Sequence, residues 1–172
     1  QIIEQFFTYP SFGAWKSQGV GDDCAIIDTG AGRLAVTCDM TALGTHFFPD
    51  ADPEDVGYKA LAVNLSDLAA AGAVPRAFFL SIGLPRRDDG WLADFSRGLM
   101  ALAHESGCAL LGGDTTRTPE IDGRHAPATI SITAMGDLPA GMGLTRSGAQ
   151  PGDDIWVSGT VGDAYAALMC RW

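Results

Sequence analysis

No stretch of this chain approaches the run of roughly 18 consecutive apolar residues that a membrane-crossing helix requires, and no secretory leader is recognisable. Basic residues are scarce: 11 lysines and arginines face 21 aspartates and glutamates, for a formal charge of −10. A surface so acidic repels nucleic acid and anionic membranes unless metal ions intervene. Cysteine is sparse and unpaired in sequence. Cys24, Cys38, Cys108 and Cys170 form no C-x-x-C spacing and sit in apolar or strand-like surroundings, which argues against a zinc site or a disulfide framework and fits a reducing cytosol. A Walker A loop, an EF-hand loop and a protein-kinase glycine-rich loop are all missing.

What is present suits a folded protein. The 172 residues are 47% hydrophobic and 19% charged, with a mean hydropathy of +0.11; disorder is excluded, and one full domain with the first elements of a second is expected. Glycine is abundant, at 22 residues, which points to tight turns or to backbone that approaches a neighbour closely. The chain begins at Gln1 rather than Met, inside a helix-like pattern spanning residues 2–8, and reads as a piece trimmed from a longer one.

Two strands are expected at residues 24–28 and 34–39, joined by the turn Thr29-Gly30-Ala31-Gly32. Asp52-Pro53 provides a helix N-cap and a proline at the first helical position. That helix should run to about Ala71, with Gly72 as its stop. A strand at 77–84, a helix at 90–106 ended by Gly107, a short buried strand at 108–111 and an alternating strand at 128–135 follow. The order predicts an α+β or α/β sandwich with helices packed on one face of the sheet. Residues 1–138 read as the N-terminal domain and the Gly- and Pro-rich segment 139–154 as a linker. A strand at 155–158 and a helix at 162–170 would open a second domain.

Four acidic groups occupy positions where a carboxylate is awkward. Gly21-Asp22-Asp23 precedes the apolar strand Cys24-Ala25-Ile26-Ile27, and is compatible with an ordinary turn or with a ligand pair. Asp39 closes the second strand, where acids serve as metal ligands and as caps alike. On the first long helix, Asp67 falls within about 40° of Ala60, Val63 and Ala71 at about 100° per residue. The surrounding run of small and apolar residues implies burial, with Asn64 beside Asp67 and Lys59 about 80° away. A buried carboxylate needs a cation or a satisfied polar network. Finally, Gly112-Gly113-Asp114-Thr115-Thr116-Arg117 follows a strand. Read as a turn, it would offer free backbone N–H groups and an arginine fork to phosphate oxygens and an acid to their counter-ion, although hairpins use such turns too. Together these hard oxygen ligands select Mg²⁺ or Ca²⁺ over zinc.

The blocks Gly19-Val20-Gly21-Asp22-Asp23-Cys24-Ala25, Thr37-Cys38-Asp39, Gly44-Thr45-His46-Phe47, Ala62-Val63-Asn64-Leu65-Ser66-Asp67, Leu111-Gly112-Gly113-Asp114-Thr115-Thr116 and Thr145-Arg146-Ser147-Gly148-Ala149 occur in the order seen in thiamine-monophosphate kinases, which the chain resembles along nearly its whole length. The resemblance implies a ferredoxin-like sheet of the dimerising type and a homodimer that binds no nucleic acid or membrane. It also implies ATP and thiamine phosphate as substrates and several Mg²⁺ ions as cofactors. By the same resemblance Asp23, Thr37, Cys38, Asp39, Asp67 and Asp114 would hold metal. Gly113, Asp114 and Arg146 would contact ATP, and His46 would face thiamine phosphate. Cys38 departs from the serine or threonine usual there, so a hydroxyl contact is lost while a backbone carbonyl remains. The second half of such kinases adds a further acid and much of the thiamine pocket, so the activity of these residues by themselves stays open. Two other readings remain: a related ATP-dependent synthetase of the same superfamily, and a non-catalytic nucleotide-binding or dimerisation fragment.

Overall fold

A computed structural model describes Gln5, Ser17–Gln18 and residues 21–171. The expected helix at residues 2–8, apart from Gln5, and Gly19 and Val20 lie outside the described residues. The strands are β1 (Ser17–Gln18), β2 (Ala25–Asp28), β3 (Arg33–Ala42), β4 (Val74–Leu84), β5 (Ala109–Arg117), β6 (Glu120–Ile121), β7 (Arg124–His125) and β8 (Thr129–Leu138); the helices are α1 (Pro53–Ala70), α2 (Asp89–Ser106) and α3 (Asp163–Met169). Six strands form one mixed sheet in the order β1-β2-β3-β8-β4-β5, in which only β4 and β5 run parallel. The architecture is α+β.

Local chemistry sets the helix limits. The Asp52 carboxylate accepts from the Glu54 N–H, with Pro53 at the first helical position, so an orphan donor is satisfied where proline costs nothing. At the far end the Ala73 N–H reaches back to the Leu68 carbonyl and the Gly72 N–H to that of Ala69, a Schellman-type closure. α2 is capped by Asp88, which accepts from the Trp91 N–H, and ends at Gly107 with φ 65°.

Both long helices cover one face of the sheet. Phe78, Leu61, Leu68, Ile130 and Ile132 are fully buried between the layers, each such side chain contributing roughly 1.5–3 kcal/mol by leaving water. The helices themselves meet through glycine. A β-carbon built on Gly57 would lie 2.0 Å from the Phe95 carbonyl oxygen, and one on Gly98 would lie 1.9 Å from that of Glu54. Only hydrogen fits at either position. Among the described residues no helix covers the opposite face of the sheet, and Met40 and Phe79 are exposed there.

The structure corrects four expectations. Residues 112–117 are not a turn but the body of β5, and β5 is exposed throughout rather than short and buried. The strand pairs with β4 across a bulge that advances two residues, Leu110 to Gly112, against one, Phe78 to Phe79. Past the bulge Gly113 has φ 150°, and a β-carbon there would sit 1.7 Å from the Leu80 oxygen. Gly113 therefore serves a close approach of the two strands, which explains its presence without a turn; Gly112 would leave room for a β-carbon, which would meet only the Phe79 ring at 3.7 Å. Residues 155–158 form no strand; with Ile155 and Trp156 at 96% and 88% exposure, nothing pairs with them. Finally, α1 is buried along one face only, and Ser66, Ala69 and Ala70 face solvent.

Candidate functional site

Where β3 passes under α1, a small polar cluster interrupts the core. Thr37 is 5% exposed and donates its hydroxyl to Asp67 Oδ2 at 2.6 Å. One helical turn earlier, the fully buried Asn64 accepts from the Asp39 N–H at 3.2 Å and donates to the Ala60 carbonyl at 3.0 Å. β3 and α1 are thereby stitched by side chains whose fully buried polar atoms, among the described residues, all have partners, which is the condition for burying them. The sequence pointed to Asp67 and Thr37; the anchoring role of Asn64 was missed, although its i−3 position beside Asp67 on an otherwise apolar helix was the available signal.

Asp39 lies at the rim of this cluster. Partial burial and then the neighbouring Asp67 charge push its carboxyl above the ordinary carboxylate value, with His46 opposing them. Cys24, which donates to the Asp67 carbonyl at 3.3 Å, is raised to about 11 by burial, then by Asp67 and Asp23. The Asp67 charge thus acts on Asp39 of β3 and, together with Asp23, on Cys24 just before β2.

The segment expected to be a linker folds back onto this region. Arg146 donates through Nε and Nη2 to Asp23 Oδ1, through Nη1 to the Gly21 carbonyl, and through its backbone N–H to Asp22 Oδ1 at 2.8 Å. The Leu144 N–H bonds the Ala71 carbonyl at the end of α1, and Arg33 donates to the Met142 carbonyl. Asp22, which the sequence offered as one half of a turn or ligand pair, holds the Arg146 backbone instead, a role the sequence did not indicate. His46 is exposed, accepts the Ala42 N–H at Nδ1, and takes the Lys59 ammonium on its carbonyl at 2.6 Å. Lys59 is thereby engaged away from Asp67. Beside His46, the residues Phe47, Phe48, Trp91 and Leu84 line a cavity of about 160 Å³.

Not every expected residue joins. The Cys38 side chain lies on the open sheet face with Thr133 and Ser131, at 3.3 and 3.6 Å, away from Thr37 and Asp67. Asp114 is remote. The register aligns Asp39, Ile132, Leu80 and Gly113 in one row, so β5 stands three strand spacings, about 14 Å, from β3. Among the described residues no three His, Cys, Asp or Glu side chains approach closely enough to hold an ion by themselves. The donor set nevertheless suits a hard cation: adjacent carboxylates repel one another, and Asp67 Oδ1 has no protein partner among the described residues. Mg²⁺ characteristically takes one or two carboxylates and completes its shell with phosphate and water.

Comparison with known proteins places this geometry in a family. A curated thiamine-monophosphate kinase of Salmonella typhimurium is 48% identical over 151 residues, covering 87% of this chain and 44% of that protein. The structure of AaThiL complexed with AMPPCP and TMP superposes with a TM-score of 0.79 at 31% identity, over 88% of this chain and 47% of the other. A thiamine-monophosphate kinase from Stenotrophomonas maltophilia gives a TM-score of 0.74 at 46% identity, covering 90% and 46%. The chain spans about half the length of the relatives it matches. The model of the AIR synthase related protein N-terminal domain matches residues 21–138, which hold β2 through β8 and the Thr37–Asp67 cluster, and the chain belongs to that family.

Proposed function

We propose that this chain is the nucleotide- and Mg²⁺-binding part of an enzyme that phosphorylates thiamine phosphate to thiamine diphosphate with ATP. The observation that carries the reading is the Thr37–Asp67 contact, with Asp39 beside it and Arg146 on Asp23. It gathers, on one side of the sheet, residues that the sequence blocks assign to the metal and ATP sites, and relatives 46–48% identical are thiamine-monophosphate kinases. The thiamine ring would lie on the His46 side, where Phe47, Phe48 and Trp91 line an apolar cavity.

The acceptor is a phosphate monoester, anionic at neutral pH, so no side chain need remove a proton from it. The obstacle is repulsion between two polyanions. Bound Mg²⁺ supplies neutralisation of that charge and in-line alignment of the two phosphates. The residues of this chain prepare the site. Thr37 fixes one oxygen of Asp67 and leaves the other free; Asn64 fixes the backbone at Asp39; Asp22 holds Arg146 by its N–H. Cys38 would contribute only its carbonyl. Gly113 and Asp114, about 14 Å across the sheet, would meet the nucleotide at its far end. Transfer is direct, with no phosphoenzyme.

In this reading residues 1–138 form the binding and pairing domain, 139–154 connect it, and 155–172 open a second domain, whose packing would cover Ile155 and Trp156. The sheet face that carries Met40 and Phe79 pairs with a second copy in a homodimer of ferredoxin-like halves, and the protein is cytoplasmic. Product analysis tests the activity: the protein that contains this chain, given ATP, Mg²⁺ and thiamine phosphate, should yield ADP and thiamine diphosphate in equal amounts. ATP consumption without thiamine diphosphate would favour a synthetase of the same superfamily. A phosphorylated side chain trapped by rapid quench would overturn direct transfer.

A further inference from the structure

The basic residues of this acidic chain are unevenly placed. β4, α2 and β5 form a βαβ unit with parallel strands, and ligands of such units gather outside the carboxyl ends of the strands, near the helix N-terminus. At that end is an open pocket of about 480 Å³ lined by Arg86, Arg87 and Arg117, the hydroxyl residues Thr115 and Thr116, and a single acid, Asp89. Asp89 is neutralised by Arg87 through two hydrogen bonds of 2.6 and 3.1 Å. Among the described residues Arg117 meets only Glu120, at 3.8 Å, and His125 shares that carboxylate at 3.5 Å. Among the described residues Arg86 has no acidic partner. The lining therefore carries a net charge of about +2 on a molecule of −10, and its guanidinium forks match phosphate geometry.

We infer that this pocket binds a phosphate group directly, without a bridging metal ion, at a site separate from the Thr37–Asp67 cluster. The separation follows from the register. Thr116 aligns with Gly83, Thr129 and Ala42, so the pocket stands about 14 Å from β3 across the sheet. The chemistry is opposite as well. Carboxylates accept phosphate only through a cation, whereas three arginines and two hydroxyls accept it bare. Because Asp89 already engages Arg87, Arg86 and Arg117 are the groups that would take the ligand.

The test is titration of the chain with inorganic phosphate and, separately, with phenyl phosphate as a monoester, in EDTA, followed by amide NMR shifts. Saturable shifts at Thr115, Thr116 and Arg117 and in the first turn of α2 are expected with both probes, or with the ester alone if the site requires an ester. Arg86→Gln and Arg117→Gln should each weaken binding about tenfold, roughly 1.4 kcal/mol, and Asp67→Asn should leave it unchanged. Both arginines are exposed, so the variants should keep the wild-type thermal transition. If one does not, the corresponding lysine variant, which retains charge but loses the fork, should bind more weakly than wild type. No saturable shift in EDTA, or binding equally strong in both arginine variants, overturns the inference. Binding that appears only with Mg²⁺ and vanishes in Asp67→Asn also overturns it while leaving the kinase reading intact.

Discussion

Substituting Gly98 with alanine sets two effects of opposite sign against each other. Alanine in a helix interior is favoured over glycine by about 1 kcal/mol, so propensity alone predicts a more stable protein. The structure predicts the reverse. The added methyl would lie 1.9 Å from the Glu54 carbonyl oxygen and 2.7 Å from its carbon, where ordinary contact needs more than 3 Å, and the obstruction is backbone rather than a movable side chain. α1 and α2 would have to separate by more than an ångström, loosening the packing around Val56, Phe95 and Leu99, all 2–3% exposed. Overpacking costs about 1–3 kcal/mol and sometimes more, and a backbone clash belongs at the upper end. Against the propensity gain the net loss is about 2 kcal/mol, or a fall in Tm of roughly 4–8 °C for a chain of this size. Gly90→Ala supplies the contrast. Its methyl would meet only Asp88 Oδ1, at 3.6 Å, so the propensity gain should survive. Urea and thermal unfolding followed by circular dichroism measure both variants. A Gly98→Ala chain as stable as the parent, or more so, would refute the close crossing of the two helices.

Asn64→Leu should cost about 1–3 kcal/mol in urea unfolding, because it strips the Asp39 N–H of its acceptor at a part-buried position; wild-type stability would mean that water serves equally well. Iodoacetamide at pH 8 should label Cys38 and Cys170, which are exposed, and spare Cys24 and Cys108, which are buried with thiols raised above their ordinary value, Cys24 to about 11. A raised thiol is protonated, hence unreactive, below its raised value, so protection of Cys24 should persist until the pH nears 11 or the chain unfolds. Early labelling of Cys24 would show that β2 opens readily. Arg146→Ala should increase proteolysis within residues 139–152, since it removes the guanidinium contacts that tie this segment to Asp23; an unchanged cleavage pattern would assign the tether to Arg33 and Leu144 instead.

Periodicity and caps made much of the fold legible. Asp52-Pro53 and Gly72 delimited α1, Gly107 ended α2, and Thr29-Gly30-Ala31-Gly32 joined β2 to β3, because each is a local device whose residues suffice to set it. The failures are where distant groups decide. Gly112-Gly113 has the composition of a turn, yet it lies inside a strand, where the tight approach of Leu80 requires Gly113. The apolar run at 155–158 has strand composition but pairs with nothing. The small β6–β7 hairpin could have been read from Asp122-Gly123, both at positive φ, since Asp-Gly is a strong hairpin signal. At the site, composition singled out the acids but could not assign them to places. Asp39 and Asp67 come together because β3 pairs under α1, whereas Asp114 is carried away by the interposed β8 and β4, an order that no single segment encodes.

In the proposed function Asp67, with Asp39 and Asp23 nearby, supports a cation between protein and nucleotide phosphate. Calorimetric titration with a non-hydrolysable ATP analogue, with and without Mg²⁺, in the parent chain and in Asp67→Asn, measures it directly. Binding should require Mg²⁺ and weaken about tenfold or more in the variant. Equal affinity with and without the metal, or an affinity untouched by Asp67→Asn, would contradict it.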